Sequence, residues 1–268
     1  MKHITSHDNP FFKELLKLAS SARQRREVGQ TLLDGVHLLQ ACVAAALQPL
    51  HVLVTEAALR DPEITAAVEA LPNVPLTQLD DKLFAALSDL KTPSGILALL
   101  SQPSPKIAIA DSRFALFLED IQDPGNLGSM LRSAAAAGCD AVFLSQGCAD
   151  VWSPKVLRGG MGGHFALSLH QAADLPALAA IYPGKVYAAV PDAKPSVYAC
   201  DLRGNVASAI GNEGAGLGAG MLGFSQPLCI PMSAGVESLN AAAAAAVCLF
   251  EAVRQRSQQG TEPLITNI

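Results

Sequence analysis

Gly211-Asn212-Glu213-Gly214-Ala215-Gly216-Leu217-Gly218 follows an apolar run, Val206 to Ile210, that reads as a buried strand. A second apolar run, Leu228 to Ile230, leads into Ile230-Pro231-Met232, and Ser238-Leu239-Asn240 then opens an alanine-rich helix reaching Arg256. Two strand ends thus deliver glycine-rich backbone to one neighbourhood. Glycines permit close approach of backbone to a ligand and a positive φ, as a loop wrapped round a flat heterocycle requires.

A dinucleotide is one ligand to weigh. Gly214-x-Gly216-x-x-Ala219 satisfies the relaxed fingerprint, and Glu237 lies roughly 20 residues on. The context argues against it. That fingerprint belongs at the first turn of an α/β unit and opens a full crossover helix, whereas only about a dozen residues separate this loop from the next strand. The loop also lacks the lysine and Ser/Thr of a phosphate-cradling P-loop.

Upstream stands Asp123-Pro124-Gly125-Asn126-Leu127-Gly128-Ser129-Met130-Leu131-Arg132. Taken with Gly211-Asn212-Glu213-Gly214, Ile230-Pro231-Met232 and Ser238-Leu239-Asn240, it resembles the three motifs of the SpoU (TrmH-type) RNA ribose 2′-O-methyltransferases of the SPOUT superfamily. The motifs stand in the family order and with compatible spacing, from about Phe114 to Arg256. The resemblance implies an α/β domain with a parallel sheet whose C-terminal segment is threaded into a deep trefoil knot, an exception to the rule that chains do not knot. It also implies that the loops of that knot bind S-adenosylmethionine.

The 268 residues are enough for two domains. Half the residues are hydrophobic, yet no uninterrupted apolar run approaches bilayer-spanning length. The start, Met1-Lys2-His3-Ile4-Thr5-Ser6-His7-Asp8, lacks the apolar core of a signal peptide, so cytoplasmic residence is expected. Six scattered cysteines form no CxxC pair and have no histidine at ligand spacing. Neither a disulfide framework nor a metal site is therefore expected. The net charge of −5 argues mildly against nucleic acid, but distribution outweighs the sum: Lys2, Lys13, Lys17, Arg23, Arg25 and Arg26 stand against three acids in the first 30 residues.

Asn9 to Arg26 reads as one helix, with Phe12, Leu15, Leu16 and Leu18 at helical spacing, Asp8 or Asn9 as cap and Pro10 first. Its terminal cations either complement the helix dipole or form a phosphate-contacting patch, with Lys13, Arg23, Arg25 and Arg26 as the RNA-binding candidates. Alternation follows: strands at 31–33, 50–55, 74–77 and 96–100, helices at 35–46, 63–70 and 81–87, giving a small sheet covered by helices. The phrases Asn9-Pro10-Phe11-Phe12-Lys13, Leu33-Asp34-Gly35-Val36-His37-Leu38-Leu39 and Thr92-Pro93-Ser94-Gly95-Ile96 resemble the substrate-binding domain attached to many SpoU enzymes, related to ribosomal RNA-binding proteins. Asp34 stands where that domain has Glu. A proline and serine linker, 101–106, separates an RNA-binding domain (1–105) from a catalytic domain (106–268). In the latter, strands are expected at 114–118, 141–144, 165–169, 185–190, 206–210 and 228–230, with a helix from Asn126 to Ala137 and a polar, frayed last dozen residues.

Methyl transfer from a sulfonium to a ribose 2′-hydroxyl is an in-line displacement that requires alignment and the management of one proton, and needs no metal. The resemblance places Asn126, Arg132, Glu213, Ser238 and Asn240 in the active site. It assigns cofactor contacts to the backbone around Gly211, Gly214, Ile230, Met232 and Leu239. Local readings stand beside these roles: a helix cap for Asn126, Ser238 or Asn240, a surface ion pair for Arg132, a brace of the loop for Glu213. A guanidinium resists deprotonation. Arg132 is therefore read as binding the phosphate beside the target nucleotide and stabilising the emerging 2′-oxyanion. Lys155 and Arg158 either extend the RNA surface or coat a solvated helix. The implied partners are RNA, ribosomal 23S RNA ahead of tRNA, and a second copy of the chain through the terminal helices. The competing functions are a non-catalytic RNA-binding or ribosome-assembly factor on the same fold and a nucleotide-dependent oxidoreductase.

Overall fold

The computed structural model describes residues 1–258. Most of the polar last dozen residues, expected to fray, lie outside the described residues. The chain divides into two compact units, Met1–Pro103 with Trp152–Phe165, and Ser104–Val151 with Ala166 onward. A single boundary therefore does not describe it.

The first unit opens with β1 (Lys2–Ile4), α1 (Pro10–Ser20), α2 (Ala22–Val28), β2 (Gln30–Asp34), α3 (Val36–Ala44), β3 (His51–Val54), α4 (Pro62–Glu69), β4 (Leu76–Leu79), α5 (Asp81–Leu87) and β5 (Ile96–Ser101). The five strands form one mixed sheet in the order β1-β4-β3-β5-β2, parallel except where β5 runs against β3 and β2. Phe12, Leu15 and Leu18 of α1 pack with Leu83, Phe84 and Leu87 of α5 and with Leu32, Leu53, Leu79 and Leu97 of the sheet. Burial of that stripe, about 1.5–3 kcal/mol per large side chain, fixes α1 on the sheet.

The expected helix Asn9–Arg26 is two helices. Asn9 caps α1 through Phe12 N at 3.2 Å. The helix ends where Ser21 turns extended (φ −118°, ψ 112°), and the Ser21 hydroxyl caps α2 by accepting from Gln24 N. Serine offers the backbone this local alternative to helix. Arg25 then folds back, its guanidinium donating to Leu18 O at 2.5 Å and Ala19 O at 3.1 Å, and so satisfies carbonyls that the broken helix leaves open.

In the second unit the chain runs β6 (Phe114–Leu118), α6 (Pro124–Ala137) and β7 (Ala141–Leu144), makes its excursion through α7 (Pro154–Gly160) in the first unit, and continues β8 (Ser168–His170), α8 (Leu175–Ile181), β9 (Lys185–Ala189), β10 (Val206–Ile210), α9 (Ala219–Gly223), β11 (Gln226–Leu228) and α10 (Ala241–Ser257). In the excursion Trp152 is buried, and its carbonyl accepts from Thr31 Oγ1 at 2.8 Å within the first unit. Six strands form an all-parallel sheet in the order β11-β9-β10-β6-β7-β8. Three expected strands shift: 74–77 to Leu76–Leu79, 165–169 to Ser168–His170 behind a short 3-10 turn, and 228–230 to Gln226–Leu228, which leaves Ile230-Pro231-Met232 in a loop.

From β6 the order runs outward to β7 and β8 on one side and through β10 to β9 and β11 on the other. The C-terminal ends of β6 and β10 therefore flank a topological switch point, where open parallel sheets place their ligand crevice. Val206 pairs with Phe114 and Ile210 with Leu118, and Glu119 N donates to Ile210 O at 3.0 Å, so Glu119 and Gly211 leave the sheet side by side. Among the described residues no helix is long and apolar enough to cross a membrane, no cluster of metal-ligating side chains forms, and all six cysteines are free.

Candidate active site at the ends of two central strands

The glycine loop is a closed turn. Asn212 N donates to Gly216 O at 3.1 Å and Gly216 N returns to Asn212 O at 2.9 Å. Asn212 Oδ1 accepts from Gly214 N and Ala215 N, both at 2.9 Å, as an Asx turn does. Gly216 takes φ +70°. At Gly211 a Cβ would lie 2.2–2.4 Å from backbone atoms of Gly216 and Leu217, so only glycine lets the turn close on itself. The strand ends hold this turn. Asn212 Nδ2 donates to Asp120 O at 2.9 Å, and Gly218 N donates to Glu119 Oε2 at 2.7 Å. Asp120 itself has φ +54° and is tied to Ser145 by two hydrogen bonds, 2.5 and 2.8 Å.

Glu213, at the tip of the turn, meets α6 and α10. Asp123 caps α6 by accepting from Asn126 N at 2.7 Å, with Pro124 at the first helical position. The helix begins at Pro124, and Asn126 is not its cap. The Asn126 side chain is thereby left to donate from Nδ2 to Glu213 Oε1 at 2.9 Å and to accept at Oδ1 from Asn240 Nδ2, also at 2.9 Å. Asn240 does cap α10, its Oδ1 accepting from Ala242 N and Ala243 N at 2.9 and 3.3 Å. The direction of this chain is forced. Asn240 Oδ1 faces backbone N–H groups, so its amide nitrogen must face Asn126 Oδ1, and the Asn126 nitrogen must then face the carboxylate, which only accepts.

The structure thus joins Asn126, Glu213 and Asn240, of which only Asn240 is a cap. Arg132 sits six residues along α6 from Asn126, a rise of about 9 Å. It is exposed, with no hydrogen bond or ion pair among the described residues, so the alternative reading as a surface ion pair finds no partner there. Ser238 is exposed, caps nothing and likewise has no hydrogen bond among the described residues. Gly211 is buried, Ile230 and Met232 are half-buried, and Gly214 and Leu239 are exposed. From Gly211 to Asn240 there is no lysine or arginine, while Glu119, Asp120, Asp123 and Glu213 gather at the strand ends. A cation without phosphates suits that surround, and a dinucleotide does not. Glu119, Asp120, Asp123 and Asn212 carry the scaffold and were not singled out from sequence. Only Asp123-Pro124 and the Asn-x-Gly turn offered a local sign of it.

In the first unit the four candidate RNA contacts separate. Lys13 pairs with Asp8 at 2.8 Å and holds that carboxyl below its usual range, and Arg23 pairs with Glu27 at 2.7 Å. Both pairs are exposed and weak enough to exchange for a phosphate. Arg26 is exposed with no ion pair among the described residues. Arg25 is only 4% exposed and holds α1 carbonyls, so it is corrected from RNA ligand to structural cap. Arg158 makes a two-pronged pair with Asp89, at 2.6 and 3.1 Å, that depresses the Asp89 carboxyl, while Lys155 is exposed.

Two family models match the chain, the SpoU rRNA methylase family over residues 113–250 and an MRM3-like substrate-binding domain over 9–98. The 23S rRNA (guanosine(2553)-2′-O)-methyltransferase RlmP of Bacillus subtilis is 30% identical, over 93% of this chain and 98% of that one. A crystal structure of an RNA 2′-O ribose methyltransferase superposes with a TM-score of 0.81 at 32% identity, covering 95% of this chain and 99% of the other. AviRb, a SpoU methyltransferase of Streptomyces viridochromogenes solved with S-adenosylmethionine, gives 0.80 at 25% identity over 93% and 100%.

Proposed function

The chain belongs to the SpoU rRNA methylase family, S-adenosylmethionine-dependent RNA 2′-O-methyltransferases, and from that premise we propose that it methylates a ribose 2′-hydroxyl of 23S rRNA in the cytoplasm, as a homodimer with its knot formed by the segment 211–240. The observation that carries this reading is the Asn240–Asn126–Glu213 chain, held at the ends of β6 and β10 beside a glycine loop with no cation. The matched substrate-binding domain and the 23S rRNA activity of the RlmP relative support that RNA. Phe250, 46% exposed on α10, gives a second copy an apolar contact.

S-adenosylmethionine, bound between the glycine loop and the 230–239 segment, supplies the methyl group. The backbone at Gly211, Gly214, Ile230, Met232 and Leu239 would hold it, since these positions either lack a Cβ or lie in the loops at the strand ends. Asn126, fixed on both sides, orients Glu213. Arg132, with no partner among the described residues, binds the phosphate next to the target ribose, and its planar fork stabilises the developing 2′-oxyanion. Ser238, also uncommitted, faces the substrate.

The test is transfer of labelled methyl from S-adenosylmethionine to separated rRNA and tRNA from cells lacking the protein, with Arg132→Ala alongside. Label in 23S rRNA as an alkali-resistant dinucleotide, absent with the variant, is the expected result. Label only in tRNA would overturn the choice of RNA. No transfer despite bound cofactor would favour a non-catalytic assembly factor. Sedimentation velocity of the same protein checks the dimer.

A further inference from the structure

We propose that Glu119 is a positioning residue for methyl transfer, acting through the glycine loop. The inference rests on the reading of Glu213 and Asn126 given above. The turn from Asn212 to Gly216 is closed by its own hydrogen bonds and moves as one piece, so where Glu213 stands depends on how the two ends of that piece are tied. At the near end Asn212 Nδ2 reaches the Asp120 carbonyl, and at the far end Gly218 N reaches the Glu119 carboxylate at 2.7 Å. Both anchors therefore lie on consecutive residues at the end of β6. That end is itself fixed, by Glu119 N on Ile210 O and by the Asp120–Ser145 bonds.

The carboxylate lies against the face of Gly218, where a Cβ would meet its oxygen at 3.3 Å, and it has no ion pair among the described residues. Its part is that of an acceptor. An amide bonded to a carboxylate is among the stronger single anchors available to a loop. Without it the far end loses this anchor, and the turn is tied only by Asn212 on the Asp120 carbonyl at its near end and by the bond of Glu213 to Asn126 at its tip.

Three variants of the full chain test this. Glu119→Ala removes the acceptor, and Glu119→Gln keeps a neutral one. Gly218→Pro removes the donor at a residue whose φ of −71° proline accepts. Amide exchange over 211–218, read by mass spectrometry, should quicken about tenfold in Glu119→Ala and Gly218→Pro, with kcat falling about tenfold and KM for RNA within about twofold. Glu119→Gln should return to within about threefold of the parent, and combining Glu119→Ala with Gly218→Pro should cost no more than either alone. Unchanged exchange and kcat in Glu119→Ala, or Glu119→Gln falling as far as Glu119→Ala, would overturn the proposal. A parent chain that methylates no RNA would sink the functional reading instead, and the exchange rates would still decide whether Glu119 holds the loop.

Discussion

Asn126→Asp changes one atom of the side chain and removes one bond. The nitrogen 2.9 Å from Glu213 Oε1 becomes an oxygen, so a donor facing a carboxylate is replaced by a second carboxylate. Two unit charges at that spacing repel by about 1.4 kcal/mol in water and about 6 kcal/mol at an effective dielectric of 20, and an exposed Glu213 places the pair near the lower figure. The lost charged hydrogen bond adds about 1.5 kcal/mol. Together these come to about 3 kcal/mol, on the order of a 100-fold fall in kcat if the assembled geometry is what methyl transfer needs. Stability should suffer less, by about 1.5 kcal/mol, because Glu213 sits on an exposed turn and can swing away in the folded state. Single-turnover methyl transfer and urea unfolding measure the two quantities. The decisive comparison adds Glu213→Gln, whose amide can donate to the carboxylate introduced at position 126 while Asn240 still does so from the other side. The double variant should regain most of the stability and part of the rate. Wild-type turnover in Asn126→Asp, or a further loss on adding Glu213→Gln, would refute the coupling.

Gly211→Ala should abolish binding of S-adenosylmethionine in calorimetry while leaving the first unit folded, because the added Cβ would stand 2.2 Å from the Gly216 carbonyl carbon and force the turn open. Arg132→Lys keeps the charge and loses the planar fork, so kcat should fall at least about tenfold, and near-parental turnover would contradict the fork. The pair of Asp89 with Arg158 depresses the Asp89 carboxyl, so its contribution is present above the unfolded value of about 3.9 and is lost as pH falls through the lower folded one. Asp89→Asn should therefore lower the urea midpoint at pH 7, by an amount that shrinks as pH falls below about 3.9.

Periodicity located most elements because burial imposes it. Val206–Ile210 and Phe114–Leu118 are buried throughout and read as strands, and the alternation in the first unit gave its helices and sheet. What it could not give is contact across distance. Asn126 and Glu213 are 87 residues apart, and Asn240 is 114 from Asn126, so no local pattern announces that one side chain bridges the other two. Only the motif resemblance brought them together. The break at Ser21 was hidden for a different reason: serine is tolerable inside a helix, and the choice is made by Arg25 reaching back to Leu18 and Ala19. The excursion 152–165 was equally silent, since Ser153-Pro154 caps a helix in the same way whichever unit it packs in. Caps report a helix start and nothing about its neighbours.

The charges of the site impose a division of labour. A sulfonium is favoured among Glu119, Asp120, Asp123 and Glu213, but the same carboxylates repel the phosphates of an approaching RNA, and the net charge of −5 does not help. Attraction must then come from cations outside the loop, and we propose that Arg132 in the second unit and Arg26, with the exchangeable Lys13 and Arg23, in the first supply it from among the exposed cations. Salt should separate the two ligands. The Kd for S-adenosylmethionine should barely move between about 50 and 200 mM salt, a range over which screening at contact distance changes little, whereas KM for RNA should rise steeply with a logarithmic slope of about 0.7 per phosphate neutralised. Arg26→Ala should lower that slope by about 0.7 at unchanged stability. Arg25→Ala, by opening the α1 carbonyls, should lower stability first. A slope untouched by Arg26→Ala would move the RNA contact away from α2, and an equally salt-sensitive cofactor Kd would mean that the acidic surround is not what selects the sulfonium.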